Sequence, residues 1–188
     1  MKNKKLITIG LVTTLALTLV ACSGDNKTNN VSNNSSNTNV ENNVVEQSSE
    51  KEIYFDGKIA EINDVKIEIT DYKIIPVGEK GNEYGENPVI AFWYKATNKT
   101  DKDIDPNTAW IVIFTAIQDN DPNMINKLNV GSLPDDKFLD TQMNTIKKDG
   151  TVENAVSYEL SDLETPVTLI AQQGIGGDEI GRFDFNIK

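Results

Sequence analysis

Two stretches of this chain, Val89–Thr97 and Ala109–Gln118, are apolar on both of the faces that an extended strand presents. In the first, Ile90, Phe92 and Tyr94 alternate with Val89, Ala91 and Trp93. In the second, Trp110, Val112 and Phe114 alternate with Ile111, Ile113 and Ile117. A strand that is apolar on both sides needs cover above and below, so each segment reads as a central strand inside a layered fold. The flanking sequence supplies partners. Ile53-Tyr54-Phe55 runs into Asp56-Gly57 and out through Lys58–Ile62, a hairpin with its turn pair in place. Val65, Ile67 and Ile69 then alternate with Lys66, Glu68 and Thr70. That run continues through Tyr72 to Val77, with Pro76 marking an edge or a bulge. Gly78–Pro88 is a Gly- and Glu-rich loop, and Asn98–Asn107 is a polar connection.

The C-terminal third reads as strands again. Met143–Lys148, the turn Asp149-Gly150 and Thr151–Leu160 form a second hairpin pattern. Ser161–Glu164 is a short turn. Val167–Gln173 and Arg182–Ile187 are the last strands, separated by Gly174, Gly176 and Gly177. Residues 119–140 are of another kind. Asp119-Asn120-Asp121-Pro122 has the makings of a helix start, and Met124, Ile125 and Leu128 follow at near-helical spacing. This excursion is expected to cover the second face of the central strands; the alternative is an open face that binds a partner. Residues 52–188 therefore read as an all-β, immunoglobulin-like β-sandwich with a short helical or irregular excursion.

The N-terminus reads as an address. Lys2, Lys4 and Lys5 precede an apolar run from Leu6 to Val20, the layout of a signal peptide, and the run is too short to read comfortably as a spanning helix. Leu19-Val20-Ala21-Cys22 resembles the bacterial lipobox, which implies cleavage before Cys22 and lipidation of its thiol by acyl groups such as palmitate. Residues 1–21 are thus expected to be a lipoprotein signal peptide. Residues 22–51 are expected to be lipidated Cys22 and a disordered linker, because residues 23–50 are mostly Asn, Ser and Thr and cannot bury enough apolar area to offset their ordering entropy.

Composition then excludes several functions. Removing the signal peptide takes three lysines and no acids, leaving 15 basic against 29 acidic residues and a net charge of −14. Such a surface repels nucleic acid and anionic lipid. Cys22 is the one cysteine and there is no histidine. With Cys22 acylated, disulfides, thiolate zinc sites, a cysteine nucleophile and every histidine-based triad are absent. Asp101, Asp103 and Asp105, like Asp119, Asp121 and Asn123, have the alternating spacing of a Ca²⁺ loop. Neither run has the Gly and Glu that an EF-hand places at its sixth and twelfth positions, and acids in turns also serve the local backbone. Paired carboxylates for glycoside hydrolysis are available, but no pair is marked out. Gly174, Gly176 and Gly177 lack the Lys-Ser/Thr of a phosphate loop. Trp93 and Trp110 read as core before they read as stacking platforms. Asn98-Lys99-Thr100 matches a glycosylation triplet that carries no information in a bacterial lipoprotein.

Pro88–Tyr94 followed by Thr97–Pro106, with support from Ile75–Glu79, Ala116–Asp121 and Gly150–Leu160, resembles the domain of unknown function 5067 family of Gram-positive lipoproteins. The likeness spans roughly residues 52–188. It implies an immunoglobulin-like fold at a Gram-positive cell surface and brings no activity and no catalytic residues. The expectation is a lipid-anchored extracytoplasmic lipoprotein whose sandwich is a binding or interaction module for an extracellular protein or peptide. No enzyme activity, catalytic residue, metal or cofactor is expected. The alternatives are a carboxylate-dependent hydrolase of cell-wall polysaccharide and an extracytoplasmic calcium-sensing module.

Overall fold

The computed structural model describes residues 52–188. The expected signal peptide, Cys22 and linker lie outside the described residues. Nine strands form two antiparallel sheets packed face to face, the expected all-β sandwich. The first sheet contains β1 (Tyr54–Phe55), β2 (Ile59–Glu61), β3 (Val65–Ile75), β4 (Val89–Asn98) and β7 (Thr151–Glu159), in the order β1-β2-β3-β4-β7. The second contains β5 (Phe114–Gln118), β6 (Asn126–Lys127), β8 (Val167–Gln172) and β9 (Glu179–Phe185), in the order β6-β5-β8-β9. The chain crosses between sheets beside β6. Val130 forms a lone antiparallel bridge with Tyr158 of β7, so the run from β6 to Gly131 joins the two sheets on that side. On the opposite side β1 lies against β9. Bare sheet edges are open to pairing with other chains, and these contacts limit that exposure.

The second doubly apolar segment is where the expected strand gives way. Pro106–Ile111 is a helix, α1, and only Phe114–Gln118 continues as a strand. Asp105 caps the helix, accepting from the Thr108 backbone N–H at 2.8 Å and from the Thr108 hydroxyl at 2.7 Å, and Pro106 occupies its first turn. The helix closes the interior where the short second sheet does not reach. Its Trp110 is fully buried, 4.6 Å from Tyr94 and 4.5 Å from Phe114 between ring centroids, and donates its indole N–H to the Tyr158 hydroxyl at 2.8 Å. Tyr94 in turn donates to the Pro106 carbonyl and accepts from the Asn154 amide. Burial pushes both phenols up, Tyr158 to about 12, so both hydroxyls stay protonated at ordinary pH.

The outer face of the first sheet has different cover. Ile75, Val89 and Ala91 form a second apolar cluster there, with Trp93 packed on it. The segment after β6 lies over this cluster: Gly131 donates to the Ser157 carbonyl, the Ser157 hydroxyl donates to the Ser132 carbonyl, and Asp135 accepts from the Trp93 indole at 2.9 Å. A Cβ at Gly131 would come within 2.6 Å of the Ser157 hydroxyl, so the close approach depends on glycine there. The excursion therefore covers β4, though not with the expected helix. Asp121 takes the N–H groups of Asn123 and Met124 into a local turn, Met124 and Ile125 are exposed, and Asn126–Lys127 pairs with β5. A single 3₁₀ turn over Asp136–Phe138 is the rest of its helical content. The second expected hairpin also loses a strand. Residues 143–148 are irregular, held by Ile146 donating to the Ile104 carbonyl, and Asp149-Gly150 feeds β7 alone.

Candidate functional site

At one end of the sandwich three short segments converge on α1. Asn98, buried at the end of β4, organises the first of them. Its amide N–H groups reach the carbonyls of Lys102 and Ile146, and its oxygen accepts from the Thr100 N–H and hydroxyl. The Asn-Lys-Thr triplet thus serves loop geometry. Lys99 ties this loop to the β2–β3 turn through Glu61 and the Ile62 carbonyl, and Lys102 pairs with Asp64. Gln172 donates to the Ile113 carbonyl at 2.8 Å, which carries the β8–β9 turn toward the exit of α1. Between these segments lies an open notch of about 320 Å³. Its walls are Ile62, Val65, Ile104, Val112 and Ile175, and Asp64, Lys102 and Asp103 stand on its lip.

Ile175 is the unusual member of this group. It is 87 % exposed on a turn whose Gly174 and Gly176 sit at φ +81° and +71°, with open space where their side chains would be. These two glycines make a turn that holds an aliphatic side chain out in water, with nothing phosphate-like about it. Ile111 and Met143 are also exposed beside α1, where Asn107 reaches the Met143 sulfur at 3.8 Å. Of these, Ile175 alone lines the notch, and an exposed apolar side chain at a concave site is a mark of interaction surfaces. Sequence reasoning assigned the three glycines to a turn and passed over the isoleucine between them. Its signal was a lone aliphatic residue in Gly-Ile-Gly-Gly.

A second depression, a cleft of about 430 Å³, opens on the outer face of the first sheet beside Trp93. The register of β3 shifts between Ile69 and Asp71, and Thr70 and Asp71 line the cleft with Lys95, Lys137, Phe138 and Glu153. Trp93 has Lys73 over its ring at 5.3 Å. The charges here balance, with Lys73, Lys95 and Lys137 against Asp71, Asp135 and Glu153. Asp135 is pushed up by burial, but its bonds to the Trp93 indole and to Lys137 outweigh that and hold its carboxyl below the usual range. This cleft is a solvated charge lattice with its indole already partnered.

The acids with Ca²⁺-like spacing are dispersed. Asp101 pairs with Lys148, Asp105 caps α1 and Asp121 caps its own turn. Among the described residues, no three carboxylates come together in a way that could hold a metal ion. No helix among them is long and apolar enough to cross a membrane. Trp110 is core and Trp93 is half-buried cover.

Comparison with known proteins places this geometry. A solved structure of a candidate lipoprotein from Staphylococcus aureus is similar at a TM-score of 0.60 and 23 % identity, covering 72 % of this chain and 92 % of that one. An NMR structure of a protein from Enterococcus faecalis is similar at a TM-score of 0.54 and 18 % identity, covering 72 % and 93 %. Both likenesses concern the fold. No curated protein matches the sequence. The family model described as "Domain of unknown function (DUF5067)" matches residues 40–173, most of the sandwich and a dozen residues ahead of it. This chain belongs to the domain of unknown function 5067 family.

Proposed function

We propose that this chain is an exported lipoprotein, cleaved before Cys22 and held by acyl groups on the outer face of the cell membrane, whose sandwich binds a protein or peptide partner at the notch beside α1. The anchor reading is supported by the Leu-Val-Ala-Cys pattern behind a charged, then apolar, leader. The similar Staphylococcus aureus structure is of a candidate lipoprotein, which agrees with it. A Gram-positive cell surface is the setting that both relatives' organisms suggest.

The observation that carries the binding reading is Ile175, held in solvent on a glycine turn over a notch walled by aliphatic side chains. A hydrolase would want a carboxylic acid kept above its ordinary range to protonate a leaving group. The carboxylates whose titration is perturbed among the described residues, Asp56, Asp135, Asp162 and Glu179, are all lowered by local hydrogen bonds.

The test is photo-cross-linking on intact cells from a photoreactive residue at position 175, with position 84 as control. Tyr84 is fully exposed but lies in the β3–β4 loop at the other end of the sandwich. A discrete adduct from 175 and none from 84 is expected. The same adducts from both positions, or none from 175, would contradict the reading.

A further inference from the structure

We propose that the notch receives a cationic amphipathic segment of a partner protein, with one apolar side chain entering between Ile104 and Ile175 and neighbouring lysines or arginines meeting the carboxylates around it. The inference rests on the binding reading above and adds the partner's chemistry. The residues that line the notch include Asp64 and Asp103 against one cation, Lys102, and Asp105 and Asp178 closely follow the lining residues Ile104 and Ile175 in the chain. Lys102 is already held by Asp64 at 2.5 Å, and Asp105 is spent on its helix cap. Asp103 on the lip and Asp178 at the foot of the Ile175 turn are both exposed, and neither has an ion pair among the described residues. An apolar centre bordered by uncompensated carboxylates complements an apolar anchor flanked by cations.

Size and charge narrow the partner further. A notch of about 320 Å³ is large enough for one large side chain, so the segment contributes a single anchor and its charges lie across the lip. Residues 52–188 carry 13 basic against 25 acidic residues, a net charge of −12. That field disfavours an acidic partner or an anionic bilayer and speeds the approach of a basic one. The cleft at Trp93 lacks both properties, since its charges balance and its indole is bonded.

The experiment uses the purified full-length chain carrying Cys22→Ala and three peptides with one leucine pattern and Lys, Gln or Glu at every polar position. Calorimetry gives affinity at two salt concentrations, and amide shifts give the location. The lysine peptide is expected to bind about tenfold more tightly than the glutamine peptide at low salt, with the margin shrinking as salt rises. Its shifts should centre on residues 102–112 and 174–178. Ile175→Ser should weaken it about tenfold and Asp103→Asn about threefold. Neither exposed residue supports the core, so both variants stay folded. Equal affinity for the lysine and glutamine peptides at the notch would overturn the cationic inference and leave the notch reading standing. Lysine-peptide binding indifferent to Ile175→Ser would overturn both, since it would be general attraction to an acidic surface. Failure of all three peptides to bind would overturn the inference alone, the notch then resting on the cross-linking result.

Discussion

Trp110 and Trp93 lie on opposite sides of the same sheet, and what covers them differs in kind. Trp110 is sealed between β4, β7 and β5 by a helix, with its indole bonded to a buried phenol. Trp93 is shielded by extended chain that touches the sheet through Gly131, Ser132 and Asp135, with its indole bonded to a half-exposed carboxylate. One side is close-packed aromatic core; the other is a lid held by a few polar bonds. The inner side should therefore set global stability, and the outer side should set local opening.

The largest effect expected from this difference is at Trp110. Trp110→Ala leaves a cavity among Phe92, Tyr94, Phe114 and Tyr158 and should cost about 3–5 kcal/mol, measured by denaturant unfolding. Tyr158→Phe keeps the packing and strands the buried indole N–H, for about 1–3 kcal/mol. On the lid, Asp135→Ala should cost only about 1 kcal/mol, and its signature is local. Hydrogen exchange should rise across residues 129–138 while β4 and β8 stay protected. A global rise of the same size at every site would erase the distinction between the two sides.

Much of this arrangement was legible because burial on one face leaves a period of two. The β1–β2 hairpin, β3 and β8 follow their alternation and turn residues closely, and β4 follows its run of apolar residues on both faces. The helix was missed because Trp110-Ile111-Val112-Ile113 is β-branched and aromatic, and side-chain preference masked a capping signal at Asp105-Pro106. Asp121-Pro122 carries the same signal and produces only a turn. The difference lies downstream: Ala109 and Trp110 bring a helix side that the core can bury, whereas Met124 and Ile125 stay in solvent and Leu128 donates to the Ala116 carbonyl beside β5. The notch could not be read at all, since its walls come from loops far apart in sequence that Asn98 and Gln172 draw together.

The smallest effect is on pH dependence. Asp162 accepts from the Thr165 N–H, then from the Asn120 amide and the Glu164 N–H, which lower its carboxyl to about 2. Its stabilisation is fully present above the unfolded carboxyl value of about 4 and is lost as pH falls through about 2. Asp162→Asn should flatten the acid limb of the stability curve in that window without changing the two tryptophan sides.

Every functional statement about the notch presupposes that it faces the medium outside the cell, and mass spectrometry of the N-terminal peptide from the membrane fraction tests that directly. The account predicts a polypeptide that starts at Cys22 with acyl chains attached through its sulfur. A free thiol at Cys22, or a leader still joined to it, would contradict the account.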